Sequence, residues 1–242
     1  MDRFFASRDG WDEGRIILSG EESHHCLRVM RKRKGDLVEI FDGTGRWARG
    51  VISEEQGSSA VVMVAEEGRD RRRRPEIGLV IAIPKGKLMD FVVQKAVELG
   101  VDRIQPLVSE HTVVRLEDGS GAGKREKWQR VALEACKQCG QNLVPEVGPV
   151  ASLEEVLRDR RGRFGLLASL REGVVSLKEA LGGLSPELER VDLLVGPEGD
   201  FSVAETESAV AGGFQLVSFG PLTLRVETAA IYGLSVMGYE LR

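Results

Sequence analysis

The sequence predicts an α/β protein in which a small N-terminal β-barrel precedes a larger domain with a mostly parallel sheet. Three observations predict this class. Short apolar runs separated by turns extend to about residue 70, an arginine-rich stretch covers residues 69–74, and apolar runs alternate with helical patterns after Pro75. A charged stretch that ends at a proline is typical of a linker, so we predict two domains, at residues 1–72 and 73–242.

The N-terminal domain is predicted to contain four short strands, because runs of branched and aromatic residues are bounded there by turn residues. These strands lie at residues 15–18, 37–41, 46–52 and 60–64. The Asp-Gly-Thr-Gly segment at residues 42–45 predicts a tight hairpin, since glycine permits positive φ. A helix is predicted over residues 21–30, with His25 and Arg28 near one face.

The C-terminal domain is predicted to alternate strands and helices, which implies a largely parallel sheet covered on both faces. The strands lie at residues 77–83, 103–108, 164–168, 191–195 and 214–218. Helical spacing predicts helices at residues 88–99, 127–139 and 228–241. The apolar face of the first helix comprises Leu88, Phe91, Val92, Ala96 and Leu99. Ser202 and Glu205 have capping-box spacing, so a further helix is expected to begin there.

Composition excludes several functional classes. No run approaches the roughly 18 apolar residues that span a bilayer, and the first five residues carry no apolar segment typical of a signal peptide, so we expect a cytoplasmic protein without a membrane partner. Cys136 and Cys139 form the one close cysteine pair and the histidines lie elsewhere, so we expect no metal site. Residues 26–50 hold seven basic and three acidic residues, which suits a phosphate backbone, although such a run is more often a solvated face.

Two segments near the C-terminus predict a cofactor pocket. Residues 193–202 and 219–230 each combine an apolar run, a Gly-Pro turn and the start of a helix. Both turns therefore expose backbone at the carboxyl end of a buried strand, which is where open α/β sheets bind ligands. Glycine also lets a flat ligand approach the backbone closely. The alternative for the first segment is a plain strand-to-helix turn, and the presence of the second segment favours the pocket.

The glycine-rich segment at residues 119–124 does not match a phosphate-binding loop. Asp118 stands where that pattern requires glycine, and Arg125 rather than Ser or Thr follows Lys124. We interpret this segment as a mobile surface loop.

Five motifs occur in order along the chain. They are His25-x-Leu27-Arg28-Val29-x-Arg31, Glu98-Leu99-Gly100, the stretch from Glu134-Ala135 to Pro145, Gly196-Pro197-Glu198-Gly199, and Leu222-x-Leu224-Arg225-x-Glu227-Thr228-Ala229. By these motifs the chain resembles the ribosomal RNA small subunit methyltransferase E family, which belongs to the SPOUT class of S-adenosylmethionine-dependent RNA methyltransferases. The resemblance runs from the first residues to the last helix.

The resemblance implies a homodimeric enzyme with a PUA-like RNA-binding domain and a SPOUT domain that contains a trefoil knot. It implies methyl transfer from S-adenosylmethionine to N3 of a uridine in 16S, the small-subunit, ribosomal RNA. The implied cofactor-binding residues are Leu170, Gly196, Glu198, Gly199, Phe219, Gly220, Leu222, Leu224 and Arg225. The basic residues expected to contact RNA are Arg28, Arg31, Lys32 and Arg33.

Arg225 and Glu227 are the candidate catalytic residues. Methylation of uracil N3 requires loss of an imide proton, and a guanidinium can stabilise the resulting anion. Glu227 either orients Arg225 or accepts the proton, and the sequence does not choose between these roles. The alternative for both residues is an exposed charge pair at a helix start.

Four further residues are weaker candidates for RNA contact. They are Lys85, Lys87, Arg115 and Gln141, each of which is by default a solvated side chain. His111 and Gln141 stand where the family commonly has arginine, so the resemblance does not extend to a phosphate contact at either position. Lys137 and Arg115 are the nearby basic residues that could replace them.

Two other functions fit the same sequence. One is ribose 2'-O-methylation, which the SPOUT class also performs. The other is an RNA-binding assembly factor whose pocket no longer binds cofactor. The identity of the methylated atom separates the first from N3 methylation, and S-adenosylmethionine binding separates the second.

Overall fold

The structure, a computed structural model, describes residues 1–56, 59–112, 120–160 and 163–242. Two compact units divide the chain. The first comprises Met1–Arg72 together with Cys136–Val144, and the second comprises Arg73–Ala135 together with Pro145–Arg242. The first unit is therefore discontinuous in sequence, which the pattern around residues 69–74 does not reveal.

The first unit contains a six-stranded mixed sheet with the order β1-β4-β5-β6-β3-β2. Its strands are β1 Asp2–Phe5, β2 Trp11–Asp12, β3 Arg15–Ile17, β4 Leu37–Phe41, β5 Arg46–Gln56 and β6 Ser59–Arg69. β1 and β4 pair in parallel and the other pairs are antiparallel. Phe4, Ile16 and Ile40 are fully buried in one core cluster of this unit, as alternation along half-buried strands requires.

The predicted hairpin and helix of this unit are both present. Gly43 and Gly45 have φ of 77° and 99°, and the Asp42 carboxylate accepts a hydrogen bond of 2.7 Å from the Thr44 N–H. The helix consists of α1 Gly20–His24 and one π-helical turn at His25–Val29. Local turn chemistry therefore sets the β4–β5 connection, as the glycine spacing predicts.

The segment Cys136–Val144 packs on this hairpin. Thr44 and Leu143 form an isolated antiparallel bridge, and the Gly45 N–H donates to the Asn142 carbonyl at 3.0 Å. Arg3 donates to the side-chain oxygen of Asn142. We predicted this segment as part of the domain at residues 73–242, whereas backbone pairing with the β4–β5 hairpin groups it with the N-terminal strands. Such pairing between residues distant in sequence produces no hydrophobic periodicity, so the sequence pattern does not predict it.

The second unit contains an all-parallel sheet, as far as the described residues extend, with the order β10-β8-β7-β13-β11-β14-β12 and β9 beside β8. Its strands are β7 Glu76–Ala82, β8 Arg103–Val108, β9 Glu146–Val147, β10 Ala151–Ser152, β11 Phe164–Ala168, β12 Val175–Ser176, β13 Arg190–Val195 and β14 Phe214–Ser218. The five predicted strands are confirmed. Both faces of this sheet are buried, so β7 is apolar from Ile77 to Ala82, and β13 is buried from Val191 to Val195, with Asp192 as its one charged buried residue.

Six helices are described from residue 88 onwards, and the second of them ends within the first unit's segment Cys136–Val144. They are α2 Leu88–Glu98, α3 Ser120–Cys139, α4 Leu153–Arg158, α5 Leu177–Gly182, α6 Val203–Ala211 and α7 Val226–Leu241. Among the helices that the structure describes, none combines the length and apolarity needed to cross a bilayer. The three predicted helices are confirmed as α2, α3 and α7. The buried face of α2 and the first residue of α3 differ from the prediction.

The glycine-rich segment that we interpreted as a surface loop is largely helical. α3 begins at Ser120, so the loop prediction is wrong for residues 120–124, while Gly119 lies outside the described residues. Helix propagation adds one hydrogen bond for each residue, which offsets the cost of about 1 kcal/mol that each interior glycine brings. The spacing of Gly121 and Gly123 therefore predicted a loop where an existing helix simply extends.

The predicted buried face of α2 is partly wrong. Phe91 is 42% exposed and Leu88 is 37% exposed, whereas Met89, Val93 and Val97 are buried. The apolar residues of α2 occupy more than one face, so spacing alone does not say which face packs against the sheet. Gly100 ends the helix with φ of 80°, as predicted.

Three helices of the second unit begin with the same capping box. Their N-cap serines are Ser152, Ser176 and Ser202. In each, the serine hydroxyl accepts from the N–H of a glutamate three residues later, and that glutamate caps the serine N–H in return. The box at Ser202 confirms the predicted start of α6. The same Ser-x-x-Glu spacing marks α4 and α5, which the sequence prediction omits.

Candidate functional site

A cavity of about 270 Å³ lies at the carboxyl ends of three neighbouring strands, β13, β11 and β14. Its lining comes from residues 168–170, 195–198, 200, 219–220, 222–226 and 229, at or after the end of each strand. The two segments that predicted a pocket therefore line one cavity. Its position at the carboxyl edge of a parallel sheet is the usual place for a ligand in this class of fold.

The first wall of the cavity is the turn between β13 and α6. The Asp200 N–H donates to the Pro197 carbonyl at 2.9 Å, and Asp200 has a left-handed φ of 59°. Its carboxylate accepts from the Phe201 N–H at 2.8 Å, which is how aspartate tolerates this conformation. A Cβ on Gly196 would lie 3.1 Å from the Phe201 ring, so a side chain at position 196 would crowd that ring.

Glu198 is fixed in this wall by the main chain of a second loop. Its carboxylate accepts a hydrogen bond of 3.0 Å from the N–H of Lys85, which follows β7. Lys85 and Lys87 are both exposed. Lys85 is one of the weaker candidates for RNA contact, and its backbone N–H orients the carboxylate of Glu198.

The second wall is the loop between β14 and α7. Gly220 has φ of 108°, and its N–H donates to the Ser218 hydroxyl at 3.2 Å. Leu222 is 73% exposed, and Leu170 on the neighbouring loop is 59% exposed. Large apolar side chains left open beside a cavity indicate a surface that a ligand covers.

Arg225 lies where this second wall meets α7. It is the N-cap residue of α7, its carbonyl accepts from the Ala229 N–H at 2.8 Å, and its side chain is exposed at the cavity. Within the described residues its guanidinium has no hydrogen-bond acceptor or carboxylate partner. Glu227 instead lines a groove along α7, beside Phe91 and Tyr232, and forms no ion pair with Arg225 in the described part of the chain.

Eight of the nine predicted cofactor residues line the cavity, and Gly199 does not. Gly199 packs against His111 instead, with the Nδ1 atom of His111 3.1 Å from its carbonyl oxygen. Asp200 is the charged lining residue that the sequence prediction omits. Its position directly after Gly196-Pro197-Glu198-Gly199 is the signal that could have identified it.

The predicted RNA-binding residues differ in availability. Arg28, Arg31 and Arg33 are exposed. Lys32 is paired with Asp2, and this hydrogen-bonded pair raises the pKa of Lys32 and lowers the pKa of Asp2. Three guanidinium groups of the basic run are therefore open to solvent, while the lysine ammonium is engaged within the protein.

His111 and Gln141, the two positions at which the chain departs from the family pattern, both have local partners. His111 contacts the Gly199 and Asp200 carbonyls, and the Gln141 amide donates to the Leu143 carbonyl at 2.7 Å. Lys137, one proposed replacement for a basic residue there, is paired with Glu22. Arg115, the other, lies outside the described residues.

Two family models match the chain. The model of the RNA methyltransferase domain matches residues 71–238, and the model of the RNA methyltransferase PUA domain matches residues 18–63. The chain is similar to the ribosomal RNA small subunit methyltransferase E of Bacillus subtilis, with 29% identity over 92% of this chain and 89% of the relative.

Two solved structures are similar over nearly the whole chain. One is a ribosomal RNA small subunit methyltransferase E from Neisseria gonorrhoeae bound to S-adenosylmethionine, with 30% identity, a TM-score of 0.86, and coverage of 99% of this chain and 97% of the other. The other is a methyltransferase from Legionella pneumophila in complex with the same cofactor, with 30% identity, a TM-score of 0.86, and coverage of 98% and 96%.

Proposed function

The chain belongs to the ribosomal RNA small subunit methyltransferase E family, and we propose that it transfers a methyl group from S-adenosylmethionine to N3 of a uridine in 16S ribosomal RNA. The observation that carries the proposal is the cavity formed by the two glycine-containing turns at the ends of β13 and β14. Two relatives with 30% identity were solved with S-adenosylmethionine bound, which supports the same cofactor here.

The chemistry of the cavity lining suits S-adenosylmethionine. Leu170 and Leu222 present open apolar surface, which suits the flat adenine ring. A Cβ on Gly220 would meet nothing within 4 Å, so this backbone can approach a ligand closely. The carboxylates of Glu198 and Asp200 suit a ligand that carries sulfonium and ammonium charges. When bound, S-adenosylmethionine supplies a methyl group that its positive sulfur already activates.

Arg225 holds the target uracil as an anion in this proposal. Loss of the N3 proton to water leaves negative charge on N3 and two carbonyl oxygens, and a planar guanidinium can donate to adjacent atoms of that system. The exposed position of Arg225 at the cavity leaves its donors available to a base. Glu227 is the candidate proton acceptor from the sequence, but it lines the α7 groove, so the proposal rests on Arg225 for the chemistry in the cavity.

The N-terminal unit holds the RNA. Arg28, Arg31 and Arg33 are exposed and belong to a run of seven basic and three acidic residues at positions 26–50. Guanidinium groups at this spacing suit phosphate oxygens, which carry most of the affinity of an RNA-binding surface without specifying sequence.

We further propose a cytoplasmic homodimer with a trefoil knot in the parallel sheet, as the family resemblance implies. The groove along α7 supports the dimer, because Phe91, Tyr232 and Tyr239 are exposed there by 42%, 44% and 86%. An open apolar groove of this kind is typical of a protein interface. Sedimentation equilibrium is expected to give twice the chain mass.

Methylation of small ribosomal subunits from a strain that lacks the protein tests the function, with free 16S RNA in parallel. Mass spectrometry of the digested RNA is expected to show 3-methyluridine. A 2'-O-methylated nucleoside would favour ribose methylation, and the absence of S-adenosylmethionine binding in calorimetry would favour an assembly factor without activity.

Gly220→Val is expected to abolish S-adenosylmethionine binding, because a branched side chain would occupy the open space of the cavity wall. The left-handed φ also strains valine by about 1–3 kcal/mol. Gly213→Val is the matched control, since Gly213 also has positive φ and open space but lies outside the cavity. Thermal unfolding should show equal destabilisation of the two variants, and calorimetry should show loss of S-adenosylmethionine binding only in Gly220→Val. Equal cofactor binding by the two variants would contradict the assignment of this cavity as the cofactor pocket.

Arg225→Lys keeps the charge but loses the planar fork, so it should slow methylation roughly 10- to 1000-fold with little effect on RNA or cofactor affinity. Higher pH should recover part of the loss if formation of the uracil anion is limiting. Single-turnover rates across pH at saturating RNA and cofactor measure both effects. Arg171→Lys, an exposed arginine outside the cavity lining, is the control. A rate near wild type would remove Arg225 from the chemistry.

The combined variant Arg28→Ala, Arg31→Asn and Arg33→Ala should weaken RNA binding and reduce the slope of log K against log salt by about 2. Asparagine is used at Arg31 because this residue has a left-handed φ of 54°. Cofactor affinity should not change. A control that removes three exposed charges elsewhere, at Arg8, Arg158 and Lys178, should leave the salt slope intact. An unchanged slope in the first variant would exclude the basic run as an RNA contact.

A further inference from the structure

We infer that His111 is a positioning residue that holds the cofactor-binding wall from outside the cavity, by donating a hydrogen bond to the carbonyls of Gly199 and Asp200. The inference rests on the proposed function, because it assigns a task to a residue that touches the wall and not the ligand. His111 Nδ1 lies 2.9 Å from the Asp200 carbonyl and 3.1 Å from the Gly199 carbonyl. Since carbonyls only accept, the imidazole nitrogen must carry a proton to make these contacts.

A closed turn directly after β8 presents the imidazole. The Ser109 N–H donates to the Thr112 hydroxyl at 2.9 Å, the Thr112 N–H donates to the Ser109 carbonyl at 3.0 Å, and the two hydroxyls lie 2.8 Å apart. These bonds fix the backbone on both sides of His111. The ring therefore meets the wall from a rigid support on the strand next to β7.

The imidazole of His111 approaches the cavity wall closely at Gly199 and Asp200. A Cβ on Gly199 would lie 3.2 Å from the Cβ of His111, so a side chain at position 199 would crowd the imidazole. This close approach favours glycine at position 199, which does not line the cavity. Asp200, whose carbonyl receives the bond, lines the cavity and has left-handed φ, so the contact restrains the strained residue of the wall.

A second bond ties the same turn to the helix that follows the wall. The Glu110 N–H donates to one carboxylate oxygen of Glu205 at 2.9 Å. The other oxygen of Glu205 accepts from the Ser202 N–H at 2.9 Å in the capping box of α6. His111 and Glu205 thus clamp the two ends of the 199–205 segment to one turn.

The charges around the imidazole favour its protonated form. The hydrogen bond to the Asp200 carbonyl raises the pKa of His111, the Gly199 carbonyl and the carboxylates of Glu110 and Glu205 act in the same direction, and partial desolvation opposes them. The Asp200 carboxylate is occupied by the Phe201 N–H. Because the folded pKa is raised, the charge-assisted part of the contact is complete below the ordinary value of about 6.5 and is lost as pH rises through the raised pKa.

His111→Ala, His111→Asn and the control His24→Ala test the inference, with S-adenosylmethionine affinity measured by calorimetry. His24 is exposed and lies in the other compact unit.

Loss of the donor in His111→Ala should weaken S-adenosylmethionine binding about 3- to 10-fold. Asparagine places an N–H near the position of Nδ1 and should restore affinity to within about 2-fold, and His24→Ala should bind as wild type does. The ratio of wild-type to His111→Asn affinity should fall by up to about 2-fold as pH rises, because only the imidazole titrates.

Hydrogen exchange of the same proteins without cofactor measures the wall directly. In His111→Ala the amides of Asp200 and Phe201 should exchange about 10-fold faster, and in His111→Asn near the wild-type rate. Unchanged affinity and exchange in His111→Ala would overturn the inference, as would failure of asparagine to restore either. If wild type itself does not bind S-adenosylmethionine, the proposed function fails and the assigned role fails with it. Binding by wild type with no effect of His111→Ala refutes the positioning role alone.

Discussion

The parallel register of β13, β11 and β14 is the constraint on which the candidate site depends. Leu167 of β11 is paired with Leu194 of β13 on one side and with Leu216 of β14 on the other, so the three strands end at the same level. Because parallel strands present their carboxyl ends at one edge, two turns that are far apart in sequence meet there. A slip of one residue would turn buried leucines to the opposite face of the sheet and displace a wall of the cavity.

Both walls of the cavity are fixed by hydrogen bonds made outside it. The Lys85 N–H holds the Glu198 carboxylate, His111 holds the Asp200 carbonyl, and the Ser218 hydroxyl holds the Gly220 N–H. Because these hydrogen bonds already restrain the wall, it loses less conformational entropy on ligand binding than an unrestrained loop would, and its inner face stays free for the ligand. The supports come from the loops after β7 and β8 and from the last residue of β14, so strands beside the cavity contribute to the same site as the strands that line it.

Features with a local physical cause could be predicted from the sequence, and features with a distant partner could not. The Ser202–Glu205 capping box and the positive φ of Gly43 follow from a few adjacent residues, and both are present. The cavity was predicted because each Gly-Pro turn directly follows an apolar run. In contrast, the pairing of Lys32 with Asp2 and the contact of Gly199 with His111 join residues whose proximity only the folded chain creates.

Helix electrostatics separates the two candidate catalytic residues. Glu227 lies in the first turn of α7, where a negative charge interacts favourably with the helix dipole by about 0.3–1 kcal/mol, so its presence has a sufficient structural reason. Arg225 is the N-cap of the same helix, where a positive charge is disfavoured, and its side chain makes no capping hydrogen bond. Within the described residues no carboxylate offsets this cost. The proposed contact of Arg225 with the target base would account for a cation at this unfavourable position beside the cavity, and the described part of the fold offers its guanidinium no other partner.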